Sequence, residues 1–253
     1  MFARPSTPGR TLLLPNGKYL LFFGTDTLTD QRTGAMTRYL PNGMLDTSFS
    51  FSRAYTFVGA AASATNGKLI IDATRFLYGS ETQQILRLNG DGSIDPSFNI
   101  PVVAAGFGIV RAIVIQPDGK ILIAGFFDTF SGLARQKIVR LLADGTVDSS
   151  FTPPQFEGNG IWTRPVVLAN GKILIAGDFT SVNGAANLGV ARLNVDGSVD
   201  STFQATGFNR DFTPIRGMVV QSDGKIVLAG RFEFGTGSEA TSAPAVQTRA
   251  TPM

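Results

Sequence analysis

One polar constellation recurs four times along the chain. An arginine stands five residues before the glycine of an Asn-Gly or Asp-Gly pair, an aspartate three residues after it and a phenylalanine six residues after it. The arginines are Arg38, Arg87, Arg140 and Arg192. The aspartates are Asp46, Asp95, Asp148 and Asp200, and the phenylalanines Phe49, Phe98, Phe151 and Phe203. The chemistry open to this set is ion pairing between guanidinium and carboxylate beside an aromatic ring. A group present in every copy serves what every copy shares, so this series is read as architecture.

A second arginine series is less regular. Arg10, Arg111, Arg164 and Arg216 lie seven or eight residues before another set of turn glycines, and the second copy has Ala60 instead. Gathered at one end of a repeat array, they would offer positive charge to an anionic ligand. The competing reading pairs them with loop carboxylates such as Asp128, Asp178 or Asp211. Trp162, with Phe156, Phe208 and Phe212, falls close to the same positions; these rings suit stacking on a glycan, seating a protein partner, or packing between copies. Arg111, Arg164, Arg216 and Trp162 form the candidate ligand-binding set.

Other chemistry finds less support. The chain has no cysteine and no histidine, which excludes a Ser-His-Asp triad, a thiol nucleophile, a Cys/His zinc site and disulfides. Asn89, Asp91, Ser93 and Asp95 alternate as oxygen ligands do in a calcium loop, but the glutamate at position twelve is missing. Hydrogen bonds from turn Asp and Ser to the backbone explain the alternation more simply. A carboxylate enzyme would draw on Glu81, Glu157, Glu233 or Glu239, and no sialidase-type Asp box occurs. No catalytic residue, metal or cofactor is assigned. The expected function is a non-catalytic scaffold or binding module for a protein or glycan, with a carboxylate-dependent glycoside hydrolase as the alternative.

Charge narrows the partners. The net charge of +3 is scattered, so nucleic acid is not an expected partner. Apolar runs such as Tyr19-Leu20-Leu21-Phe22-Phe23 are far shorter than the ~20 residues of a membrane helix, so no membrane insertion is expected. The first ten residues lack the apolar core of a signal peptide.

The elements that must position these residues are strands. A second motif, Asn-Gly-Lys or Asp-Gly-Lys between apolar runs, places glycines at Gly17, Gly67, Gly119, Gly171 and Gly224, spaced by 50, 52, 52 and 53. The glycines of the arginine motif, Gly43, Gly92, Gly145 and Gly197, are spaced by 49, 53 and 52. All nine follow Asn or Asp, which reads as two-residue type I′ hairpins. Runs such as Ala112–Ile115 and Ile121–Ala124 read as flanking strands, and no helical period stands out. Each unit is therefore expected to hold four antiparallel strands, A to D. Units of this length and type build a β-propeller.

The expected fold is an all-β antiparallel propeller of four-stranded blades, with four full repeats and a partial fifth. A lead-in covers 1–10, repeats about 11–60, 61–111, 112–163, 164–215 and 216–234, and a low-complexity tail 235–253, expected to be the least ordered part. The A–B and C–D turns share one face. The B–C and D–A connections, longer and varied in sequence, share the other, which is the expected ligand face. An incomplete ring would also favour self-association.

The segments Gln116–Gly125 and Ala191–Asp200 resemble the delta-60 repeat family, a bacterial propeller-type repeat. The resemblance runs from about residue 11 to 232 and implies the fold without an activity. Because such repeats are common in large exported or cell-surface proteins, it also implies a segment of such a protein.

Overall fold

The computed structural model describes residues 8–23, 36–52, 55–64, 66–77, 80–99, 102–103, 108–187, 189–205 and 215–230. The expected tail at 235–253 lies outside them. Every described element is a strand, and no helix occurs among the described residues. Among the described residues no helix is therefore long and apolar enough to cross a membrane.

Unit one is β1 (Pro8–Leu13), β2 (Tyr19–Phe23) and β3 (Met36–Tyr39), and unit two is β4 (Tyr55–Ser63), β5 (Leu69–Leu77) and β6 (Ser80–Leu88). The short β7 (Val102–Val103) precedes unit three, which holds β8 (Ile109–Ile115), β9 (Ile121–Phe126), β10 (Thr129–Phe130), β11 (Leu133–Ala134) and β12 (Ile138–Leu141). Unit four holds β13 (Phe156–Ile161), β14 (Val166–Val167), β15 (Ile173–Val182), β16 (Ala185–Ala186) and β17 (Val190–Leu193). Of unit five, β18 (Ile215–Val220) and β19 (Ile226–Gly230) are described.

Units one to four share an antiparallel A-B-C core: β1-β2-β3, β4-β5-β6, β8-β9-β12, and β14-β15-β17. The expected fourth strand shrinks to one bridge per unit, at Tyr39–Leu45, Leu88–Ile94, Leu141–Val147 and Leu193–Val199. The cause lies one residue further on. The carboxylates of Asp46, Asp95, Asp148 and Asp200 accept from the backbone N–H two residues ahead, which turns the chain before a strand can continue. Among the described residues the sheets follow one another without a closed ring.

The turns also differ from expectation. All nine motif glycines have positive φ, between 78° and 92°, but none of the preceding Asn or Asp residues does. Each loop instead has three residues. In unit three the Gly119 N–H donates to the Gln116 carbonyl and the Gln116 N–H to the Lys120 carbonyl. That is a type I turn ending in a left-handed glycine bulge. Two-residue turns with positive φ at both positions do occur, on the other face. They are Ser131-Gly132 and Asn183-Gly184, closing β10–β11 and β15–β16. The B–C connections of units three and four therefore share one turn type at their tips.

The cores lie between consecutive units. Phe49, Phe51 and Leu20 of unit one pack with Leu69, Ile71 and Leu88 of unit two, and Ile94 joins them. Phe98 and Ile70 pack with Ile113, Ile123 and Val147, and Phe151 and Leu122 with Ile173, Leu193 and Val199. Each cluster is thus completed by the residue two past the next unit's C–D glycine. The glycine itself lies against the preceding phenylalanine. A Cβ on Gly92 would fall 2.6 Å from the Ser50 carbonyl oxygen and 3.1 Å from the Phe49 ring, whereas one on Gly67 would meet nothing within 4 Å.

Unit two therefore holds its own control. Gly67→Ala should lower stability by about 1–2 kcal/mol, the penalty of a left-handed alanine. Gly92→Ala adds the clash with unit one and should cost at least about 1 kcal/mol more. Thermal melts of the two variants followed by circular dichroism compare them directly, and equal losses would contradict this packing.

Candidate functional site

The first arginine series forms closed ion knots. In unit three, Arg140 Nε donates to Asp148 Oδ2 at 2.7 Å, Lys120 Nζ stands 3.1 Å from the same oxygen, and Arg140 Nη2 donates to Ser150 Oγ at 3.2 Å. The other Asp148 oxygen accepts from the Ser150 N–H and hydroxyl at 3.0 and 2.6 Å, and the guanidinium lies 4.6 Å from the Phe151 ring centre. Units one, two and four repeat the arrangement with Lys18, Lys68 and Lys172 on Asp46, Asp95 and Asp200.

The third guanidinium nitrogen leaves the unit. Arg38 Nη1 donates to the Gly90 carbonyl, Arg87 Nη1 to Ala143 and Arg140 Nη1 to Val195, each two residues before the next unit's C–D glycine. The backbone N–H after each phenylalanine donates one residue further on, from Ser50 to Asp91, Asn99 to Asp144 and Thr152 to Asp196. Every oxygen of these aspartates accepts a hydrogen bond or ion-pair contact within its own unit. Within the alternating series, the Ser93 hydroxyl donates to Asp91 Oδ1 at 2.7 Å. No cluster of three or more acidic side chains suited to a metal exists among the described residues.

These bonds hold the carboxyls well below the usual carboxylate range. Hydrogen bonds from Ser48, Lys18 and Arg38 lower Asp46, and those from Lys68 and Ser97 lead for Asp95. For Asp148 and Asp200 burial opposes the shift, but Ser150, Lys120 and Arg140, and Lys172, Thr202 and Arg192, outweigh it.

The second arginine series sits at the other end of the A strands. Arg111 and Arg216 occupy β-bulges, between Val110 and Ala112 and between Ile215 and Gly217. Trp162 occupies a break in unit four's A strand, where its N–H and that of Thr163 both reach the Ala176 carbonyl. The Arg111 guanidinium lies 4.8 Å and that of Arg216 5.1 Å from the Trp162 ring centre, and Phe126 meets that ring edge-on at 4.6 Å. Three of the four candidate residues therefore share one stack.

Arg164, exposed, instead lines a cavity of about 200 Å³ together with Arg111. Its walls are the A strands of four units: Thr11 and Leu12, Gly59 to Ala61, Arg111 to Ile113, and Arg164, with Phe22 beside them. No carboxylate lies among these residues. Of the loop carboxylates expected to pair with the series, Asp128 binds Lys137 at 2.8 Å and Asp178 accepts from the Asn159 side chain, while Asp211 lies outside the described residues. Glu157 is exposed on β13, and Phe208, Phe212, Glu233 and Glu239 also lie outside the described residues.

The lysines of the knots, the Ser or Thr two residues after each aspartate, and Phe126 were missed in the sequence. The signals for the first two were present, since Asn/Asp-Gly-Lys recurs in all five units and Ser or Thr follows each motif aspartate by two. Phe126 has no counterpart pattern.

The knots imply a pH dependence. Their aspartates titrate lower in the folded chain than the ~3.9 of an unfolded one, so the unfolded state takes up more protons as acid is added. Their stabilisation is complete above about pH 5 and is lost as pH falls below about 4. Melting temperature should hold from pH 7 to 5 and then drop, with a smaller drop in Asp148→Asn, which starts from a lower value. A wild-type melting temperature unchanged down to about pH 2 would contradict this.

Comparison with known proteins agrees with the repeat. A family model described as "Domain of unknown function (DUF5122) beta-propeller" matches residues 14–49, 64–98, 116–151, 168–203 and 221–241, together more than half of the chain. A search of curated proteins finds no match. Among solved structures, a GH43 protein of Bacillus licheniformis is similar at 12% identity and a TM-score of 0.35, with 89% of this chain and 51% of that one covered. The chain thus spans about half the length of that structure. Each of the five matches begins just after the A strand of one unit, at 14, 64, 116, 168 and 221, and the chain belongs to the beta-propeller family of domain of unknown function DUF5122.

Proposed function

We propose that the chain is a non-catalytic binding module that receives an anionic group of a protein or glycan partner at the loop-face end of its central cavity. The observation that carries this reading is the convergence of Arg111 and Arg164, from different units, on one cavity. Gly59 and Ala60 of unit two, with small or no side chains, also line the cavity. A volume of about 200 Å³ is below the ~300 Å³ of drug-sized pockets, so a single carboxylate or sulfate group suits it better than a whole small molecule.

Electrostatics supports the same choice. Guanidinium groups on a partly enclosed cavity wall attract an anion more strongly than they would in open water. Guanidinium N–H edges match a carboxylate in two-point geometry. Among the described residues the lining holds no acidic pair, which favours binding over the hydrolase alternative, since that would need two carboxyl groups roughly 5–10 Å apart. The units are read as propeller blades around this cavity, and the resemblance of the repeats supports a place in an exported or cell-surface protein.

Titration calorimetry at low salt with an oligogalacturonate and with a polyglutamate peptide tests the reading. One of these probes should bind, and Arg164→Ala should weaken binding about tenfold, the worth of one charge-assisted hydrogen bond. Met44→Ser, at an exposed position on the tight-turn face, should leave it unchanged. Loss of binding in Met44→Ser with full binding in Arg164→Ala would place the ligand on the wrong face, and no binding of either probe would overturn the proposal.

A further inference from the structure

A second cavity, of about 390 Å³, lies further along the same A strands toward their tight-turn end. On β8 the two cavities take successive residues, Arg111 to Ile113 on the first and Val114 and Ile115 on the second. Val166 and Val167 of β14 and Met218 of β18 continue the apolar wall, and Pro117, in the A–B turn of unit three, also lines it. Arg164 lines both cavities and, among the described residues around the second, alone carries a charge. A volume within the ~300–1,000 Å³ of small-ligand sites, apolar walls and one polar group together describe a binding cavity.

Unit four departs from the repeat where the cavities meet. Pro165 stands six residues before the turn glycine, where units three and five have Ile113 and Met218. With no N–H it cannot donate to a ladder, and β14 pairs with β15 only through Val166 and Val167. Arg164 therefore stands in the interruption between Pro165 and Thr163, whose N–H turns to the Ala176 carbonyl. The apolar wall, by contrast, is anchored in three cores. Ile115 packs on the cluster between units two and three, Val167 on that between three and four, and Val166 and Met218 on that between four and five. All four side chains are nonetheless only half-buried, so a guest meets apolar surface already in place and loses little free energy to ordering it.

We propose that the two cavities together receive the C-terminus of a protein partner that ends in apolar residues. The terminal carboxylate pairs with Arg164, and the side chains of the last residues fill the second cavity. This inference rests on the reading of Arg164 as an anion site and narrows it to one kind of partner. Of the carboxylates that a protein or a glycan offers, only the one at a chain end sits on the same carbon as an apolar side chain. That pairing matches a cation placed at the junction of a small polar cavity and a larger apolar one. An acidic sugar or an aspartate brings the charge and leaves the apolar wall uncovered.

Fluorescence anisotropy of the labelled peptide GSGSLF, as its free acid, against the full 253-residue chain at low salt tests this. One saturable site is expected. The C-terminal amide of the same peptide, which lacks the charge, and the free acid GSGSGG, which lacks the apolar groups, should each bind at least about tenfold more weakly. These arms leave the chain untouched. Val167→Ser should weaken GSGSLF while the oligogalacturonate or polyglutamate of the first cavity is held as before, and Arg164→Ala should erase the preference for acid over amide. Equal binding of GSGSLF and GSGSGG, with one of those anionic probes still bound, would overturn this inference and leave the anion site standing. Failure of GSGSLF and of both anionic probes to bind would overturn the two together. Displacement of GSGSLF by an equal concentration of octanoate would overturn the assignment to a protein C-terminus.

Discussion

The guanidinium that belongs to one unit and bonds to the next is the interaction on which the rest of the structure depends. A three-stranded sheet of about 50 residues buries too little surface to stand alone. Its stability must come from its neighbours, and the arginine Nη1 fixes where each neighbour sits. That placement needs the guanidinium held still. Asp46, Asp95, Asp148 and Asp200, with the Ser or Thr two residues later and the phenylalanine beneath, hold it on three sides. Arg140 and Asp148 are both buried, so the pair contributes only because the remaining lone pairs and protons are bonded as well.

The aspartate has a second consequence for the fold. By bonding the backbone two residues ahead it ends the D strand after one bridge and turns the phenylalanine back under its own arginine. A longer D strand would carry the phenylalanine away from the joint. The small fourth strand and the strong joint are therefore one feature, and the glycine of the next turn fits because it has no Cβ to meet that ring. The opposite end of the A strands is under no such constraint. There bulges replace regular pairing, and Arg111 is half-buried whereas Arg164 and Arg216 are exposed.

Much of this was legible in the residues. The fixed offsets from Arg140 to Asp148 and Phe151 announced a structural unit, and Asn/Asp-Gly before apolar runs announced every A–B and C–D turn, though not the β10–β11 hairpin closed by Ser131-Gly132. Turn type was not legible, because the same Asp-Gly pair serves a two-residue loop or a three-residue loop with a glycine bulge, and only strand register separates them. The loss of the D strand was hidden for a similar reason. Asp148 reads as a strand-compatible polar residue until its carboxylate is seen to bond the Ser150 N–H. At the candidate site the arginine series could be found by spacing. The stacking of Arg111 and Arg216 on Trp162 could not, because it brings together residues from three units.

Native-state hydrogen exchange on Arg140→Lys most directly tests the claim that the arginine holds units together rather than its own sheet. The substitution keeps a cation beside Asp148 and removes the N–H that reaches the Val195 carbonyl. The Thr152 amide, bonded to Asp196 across the joint, should exchange at least about tenfold faster, a loss of roughly 1.4 kcal/mol. The Asn99 amide, at the preceding joint, should be unchanged. Faster exchange confined to the β9–β12 amides of unit three, with Thr152 as protected as before, would contradict the account.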